Sequence, residues 1–225
     1  MPGEAVGFSG GNLHLYPLGW SSEGRWGALV GRHGASEENG IRLLIIDAVT
    51  DEVLFRSTAM EWAGPEAFAE FWARFGRSVS EKADSFDLES TYKPDVRDPR
   101  FITGGIEYEF IMTPPSPARG AYSLKIESSR GDSKAVFSSP STKIPDRSVL
   151  LGALVSPFEA RGLAVIRESP SYGEGVPSYR FTGAHLTLGF RAAVPADGGS
   201  GGSAGSGTTT GSGWTATKPS ATGSL

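Results

Sequence analysis

Apolar and polar residues alternate with a period of two over much of this chain, and that period predicts half-buried strands. Tyr122, Leu124 and Ile126 alternate with Ser123, Lys125 and Glu127. Over residues 104–112, Ile106, Tyr108 and Phe110 alternate with Glu107 and Glu109 until Pro114-Pro115 ends the run. Leu43-Leu44-Ile45-Ile46-Asp47 and Val53-Leu54-Phe55 flank Ala48-Val49-Thr50-Asp51-Glu52, which reads as a hairpin with a polar turn. Ser129-Arg130-Gly131-Asp132 supplies turn residues before Ala135-Val136-Phe137 returns. Residues 149–155 and 162–166 make a further hairpin, and a last long strand is expected over 179–190, with Ala184, Leu186, Leu188 and Phe190 as its apolar face.

One segment has a different period. Pro65 stands where a first helical turn tolerates proline, and Phe68, Phe71, Trp72, Phe75 and Val79 follow at steps of three and four. The spacing predicts an amphipathic helix over 65–83, its aromatic stripe covering an open face of the sheet. The fold class expected is therefore mainly β with one amphipathic helix (α+β), an antiparallel sandwich or open-barrel-like sheet.

Two hairpins echo one another. In Leu18 to Val30 an apolar run ends in Ser21, a short turn follows, and Arg25 leads into Ala28-Leu29-Val30. In Leu151 to Val165 the same places are held by Ser156, Arg161 and Leu163-Ala164-Val165. The first hairpin, with its Ser-Ser-Glu-Gly-Arg-Trp turn, resembles blades of bacterial propeller-type periplasmic proteins and a family of predicted secreted bacterial proteins of unknown function. The resemblance covers Leu18 to Phe55 and, more loosely, Leu151 to Phe190. It implies a β-rich body and export, periplasmic or extracellular, with no signal peptide in this chain. About ten expected strands are too few for a propeller, whose four or more blades each take about forty residues, so a sandwich or open barrel is favoured.

Composition changes after Pro195, where the chain becomes nearly all Gly, Ser, Thr and Ala. The expected organisation is a β-rich domain over 1–196, a Gly/Ser linker over 197–207, natural or engineered, and a Thr/Ser-rich tail or tethered peptide over 208–225. Thr209, Thr215 and Thr217 give the tail β-branched character, and Trp214 is its one large apolar group. These four residues are the candidate binding residues.

Charge and cysteine content exclude several function classes. The formal net charge of -4 offers no basic field for nucleic acid. No apolar run is long enough to span a membrane. With no cysteine, disulfides, thiolate metal sites and cysteine nucleophiles are all absent.

Candidate chemistry is sparse. Gly7-Phe8-Ser9-Gly10-Gly11 has the G-x-S-x-G form, but no strand precedes it and no helix follows, so it reads as a glycine-rich lead-in. His14, His33 and His185 lie far apart with no paired spacing, and no histidine metal site is expected; His185 is placed on a solvated strand face. Glu37, Glu38 and Asn39 offer oxygens without calcium-loop spacing. Glu107 and Glu109 share a side of one strand, close to the separation a glycosidase pair needs, and are read as a solvent-facing alternation. Arg130-Gly131-Asp132 is the tripeptide of integrin ligands and equally an ordinary turn. No catalytic, cofactor or metal residue is therefore assigned.

The expectation is a non-enzymatic exported bacterial protein that works by binding a protein partner or by self-association, through its tail and its sheet edges. One alternative is a carbohydrate-binding or carbohydrate-hydrolysing β protein in which Trp20, Trp26, Tyr172 or Tyr179 stacks on sugar rings. Another is an engineered fusion displaying a C-terminal peptide.

Overall fold

The computed structural model describes residues 13–33, 39–89, 98–113, 122–139, 148–168 and 178–192. The chain divides into a unit of residues 1–193 and one of 194–225, and all described residues belong to the first. Among them the fold is mainly β, with three open antiparallel sheets and one substantial helix.

The first sheet is a meander of β1 (Leu13–Trp20), β2 (Arg25–Arg32), β3 (Gly40–Asp47) and β4 (Glu52–Arg56), each strand paired with the next. Its two faces sort by parity in β2 and β3, and in β1 up to the register shift between Pro17 and Gly19, which turns Trp20 to the opposite face from Leu18. Tyr16, Leu18, Leu29, Ile41, Leu43 and Ile45 face the helix, whereas Leu15, Trp20, Trp26, Ala28, Leu44 and Ile46 face the next sheet. Burial on both sides explains why β1 to β3 read as nearly continuous apolar runs rather than as a clean alternation.

The helix begins with a 3-10 turn at Pro65–Ala67 and continues as α1 (Phe68–Asp84). Phe68, Phe71, Val79 and Ala83 are buried against the first sheet, and Trp72 and Phe75 are half-buried beside them. Full burial of each phenylalanine contributes up to about 1.5–3 kcal/mol. Tyr16 stacks on Phe68 with ring centroids 4.0 Å apart. A Schellman motif ends the helix: the Leu88 N–H donates to the Ala83 carbonyl and the Asp87 N–H to that of Asp84, with Asp87 left-handed at φ 57. Leu88 then turns into the same core.

The second sheet, β11-β10-β9, comprises β9 (Val149–Val155), β10 (Arg161–Glu168) and β11 (Ser178–His185). It is covered on both faces. Leu154, Leu163, Val165 and Phe181 pack on the first sheet; Ala153, Ala164, Ile166 and Ala184 pack on the third. Gly183 lies so close to the first sheet's turn that a Cβ there would fall 1.8 Å from the Ala48 carbonyl oxygen.

The third sheet has the order β12-β8-β7-β6-β5, from β5 (Arg100–Thr103), β6 (Ile106–Thr113), β7 (Ser123–Ser128), β8 (Asp132–Ser138) and β12 (Arg191–Ala192). Phe101, Tyr108, Phe110, Leu124 and Ile126 turn inward. β7 alternates exposed and buried from Ser123 to Ile126, because its other face meets solvent. The order of layers is helix, four-stranded sheet, three-stranded sheet, five-stranded sheet.

The strand expected over 179–190 is corrected. β11 ends at His185, residues 186–189 bend with Gly189 at φ 81, and the chain crosses to pair Arg191 and Ala192 with β8. Ala184 and Leu186 are buried, but Leu188 is 62% exposed. A period of two cannot distinguish one long strand from a strand, a bend and a new pairing partner.

Candidate functional site

β4 is an outer strand with no neighbour on its far side among the described residues. It carries apolar side chains into solvent: Val53 is 50% exposed and Leu54 39%. Val49, in the turn before it, is also exposed. The pairing runs Ile45 to Phe55 and then Ile46 to Val53, so Leu54 is an unpaired bulge residue. Phe55 instead folds toward the helix end, where Lys82 Nζ lies 4.5 Å from its ring centre and 5.1 Å from that of Phe86. A short apolar strip bounded by a cation can receive an apolar segment from outside the fold.

The Arg130-Gly131-Asp132 turn joins β7 to β8. Arg130 and Gly131 are exposed, while Asp132 is half-buried and accepts a hydrogen bond from the Ser128 hydroxyl. Arg130 and Asp132 border a cavity of about 80 Å³ with Tyr108, Leu186 and Phe190. The Tyr108 hydroxyl donates to the Leu186 carbonyl at 2.8 Å. The carboxylate an integrin ligand would present is thus engaged within its own hairpin.

Glu107 and Glu109 do share one side of β6, and Arg100 bridges them, with Nε 3.2 Å from Glu107 and Nη2 2.9 Å from Glu109. All three are solvent-facing, so the arrangement is a surface ion-pair cluster on a strand pair.

A half-buried ion pair lies between layers. Glu168 accepts from the Tyr122 hydroxyl and, at 2.6 Å, from Arg180 Nε. The Arg180 guanidinium lies 4.8 Å from the Phe137 ring centre. Burial first, and then the bond to Glu168, hold the Tyr122 hydroxyl pKa above its ordinary range. The group ties the second sheet to the third.

The separation expected of the histidines is overturned for two of them. His14 in β1 and His33 just beyond β2 approach with Nε2 atoms 3.1 Å apart. Their far-apart positions are folded together by the hairpin: His14 pairs with Gly31, which makes His33 its diagonal neighbour. Counting residues outward from the turn at Ser21 does not give this register, because the pairing shifts by one residue between Pro17 and Gly19. His185 stands apart and is half-buried, with its Nδ1 3.2 Å from the Thr187 backbone nitrogen.

Beside the pair, Trp62 also borders an open groove of about 200 Å³ with Glu61, Glu70, Phe71, Arg74 and Phe75. Among the described residues no group of three or more His, Cys, Asp or Glu is arranged around a common point.

The tryptophans proposed for sugar stacking are corrected: Trp20 and Trp26 are fully buried between the first two sheets. Tyr179 is half-buried, donates to the Leu13 carbonyl at 3.3 Å, and has its pKa raised by burial. All three rings belong to the layer between the first two sheets. Ser9, Glu37, Glu38 and Tyr172, together with the tail residues Thr209, Trp214, Thr215 and Thr217, lie outside the described residues.

Comparison of the chain with protein-family models, curated proteins and solved structures finds no match.

Proposed function

We propose that this chain is a non-enzymatic exported bacterial protein that acts by self-association, the tail of one copy adding to the β4 edge of another. The observation that carries the reading is the apolar edge: Val53 and Leu54 face solvent on a sheet whose other strands bury nearly all their apolar side chains. An added strand would cover those residues and gain main-chain hydrogen bonds along the edge. The Leu54 bulge twists the edge and restricts which strands fit.

The tail has suitable composition for the donor. Residues 197–207 have a linker composition whose average reach is roughly 5–6 Å times the square root of its length, or about 18 Å. Beyond it, Thr209, Thr215 and Thr217 favour an extended backbone and Trp214 offers one large apolar anchor.

Sedimentation velocity of the full chain, of a chain truncated after Pro195, and of a Val53→Lys/Leu54→Lys double variant tests the reading. Concentration-dependent association of the full chain, lost in both variants, is expected. A full chain that sediments as a monomer at all concentrations overturns it, as does association that survives truncation.

A further inference from the structure

We propose that His14 and His33 form a two-ligand chelate for a first-row divalent cation of the zinc or copper class. The Nε2 atoms are 3.1 Å apart whereas the ring centroids are 5.1 Å apart, so the rings meet tip to tip with their nitrogens converging. Two imidazole nitrogens bound at about 2.0–2.1 Å lie roughly 2.9 Å apart at a right angle and roughly 3.3 Å apart at the tetrahedral angle. The observed span falls between them.

The rings are held in this arrangement. His14 projects from a paired strand, and the Trp62 indole meets both imidazoles edge-on, with centroids 5.6 Å from His14 and 5.8 Å from His33. Gly31, opposite His14, makes room for that indole; a Cβ there would come within 2.6 Å of it. Such packing fixes the ligand rings before the ion arrives, which is the function of outer-shell contacts at metal sites.

No third protein ligand is grouped here among the described residues. Imidazole nitrogens select zinc, copper or nickel over magnesium or calcium.

A proton shared between the two nitrogens accounts for the same distance, and titration of the full chain with zinc chloride at neutral pH separates the readings. Calorimetry should show saturable binding of one zinc per chain, at least about tenfold weaker in His14→Asn and in His33→Asn and unchanged in His185→Asn, with no heat from magnesium chloride. Since either substitution could disturb the sheet, NMR of the unaltered chain supplies an independent readout: zinc should shift the ring signals of His14 and His33 and leave those of His185 in place. Absence of saturable zinc binding, zinc affinity retained in either variant, or shifts confined to His185 would overturn the proposal.

Discussion

The β1–β2 and β9–β10 hairpins share a turn chemistry and differ in what surrounds it. In the first, the Ser21 hydroxyl accepts from the Glu23 and Arg25 backbone N–H groups, and the Ser21 N–H donates to the Arg25 carbonyl. In the second, the Ser156 hydroxyl accepts from Phe158 and Glu159, and the Ser156 N–H donates to Arg161. The arginines then diverge. Arg25, 30% exposed, pairs at the surface with Glu23 and, at 3.5 Å, with Asp87. Arg161, 8% exposed, pairs with Glu159 at 2.6 Å and donates to the Ala48 carbonyl at 3.1 Å.

The two turns are also neighbours. A Cβ on Gly24, in the first turn, would lie 2.7 Å from the Glu159 carboxylate of the second, and the Gly24 carbonyl accepts from the Ala48 N–H. One local signature therefore makes a serine-capped turn in both places, the second longer by one residue. Position in the stack decides whether its arginine is a surface ion pair or a tie between two layers.

The strongest way to break this comparison is to force the layers apart where they meet. Gly183→Val should clash with the Ala48 carbonyl and destabilise the fold by about 3 kcal/mol or more, since a fixed backbone atom cannot yield as a side chain can. Denaturant unfolding measures it; a change under about 1 kcal/mol would mean the two sheets tolerate separation there.

Exchanging the arginines sharpens the contrast. Arg161→Ala should cost about 3 kcal/mol, because it strands the partly buried Glu159 and frees the Ala48 carbonyl. Arg25→Ala should cost less than about 1 kcal/mol, as expected of an exposed pair. Equal losses in the two melts would show that burial of the second arginine carries no energetic weight.

The smallest effect concerns what the turns share. Ser21→Ala and Ser156→Ala each remove a hydroxyl that accepts two backbone N–H groups, and each should cost about 1 kcal/mol. Chemical denaturation of both variants tests that equivalence, which fails if one serine proves several times more important than the other.

Most of the elements were legible along the chain, and their partners were not. Alternation located β6 and β7, turn residues and an apolar return located β8, and the three-and-four spacing located the helix within a residue or two of its observed end at Asp84. The break after His185 was missed because Leu186 and Phe190 kept the period while the chain changed sheets. Histidines nineteen positions apart showed no motif, since their proximity depends on strand register rather than on spacing. Whether Trp20 and Trp26 stack on a ligand or pack in the core is not legible locally, because nothing local reveals that a strand has two covered faces.

The amino-acid sequence by itself determined the turns, the helix and the periodicity of the strands, because those depend on backbone preferences and neighbours a few residues away. The tertiary structure alone decided that a three-stranded sheet lies between two others, that Arg161 is buried while Arg25 is not, and that His14 meets His33. Each of those outcomes depends on which distant surface covers a face, and burial is a property of the assembled layers rather than of any segment within them.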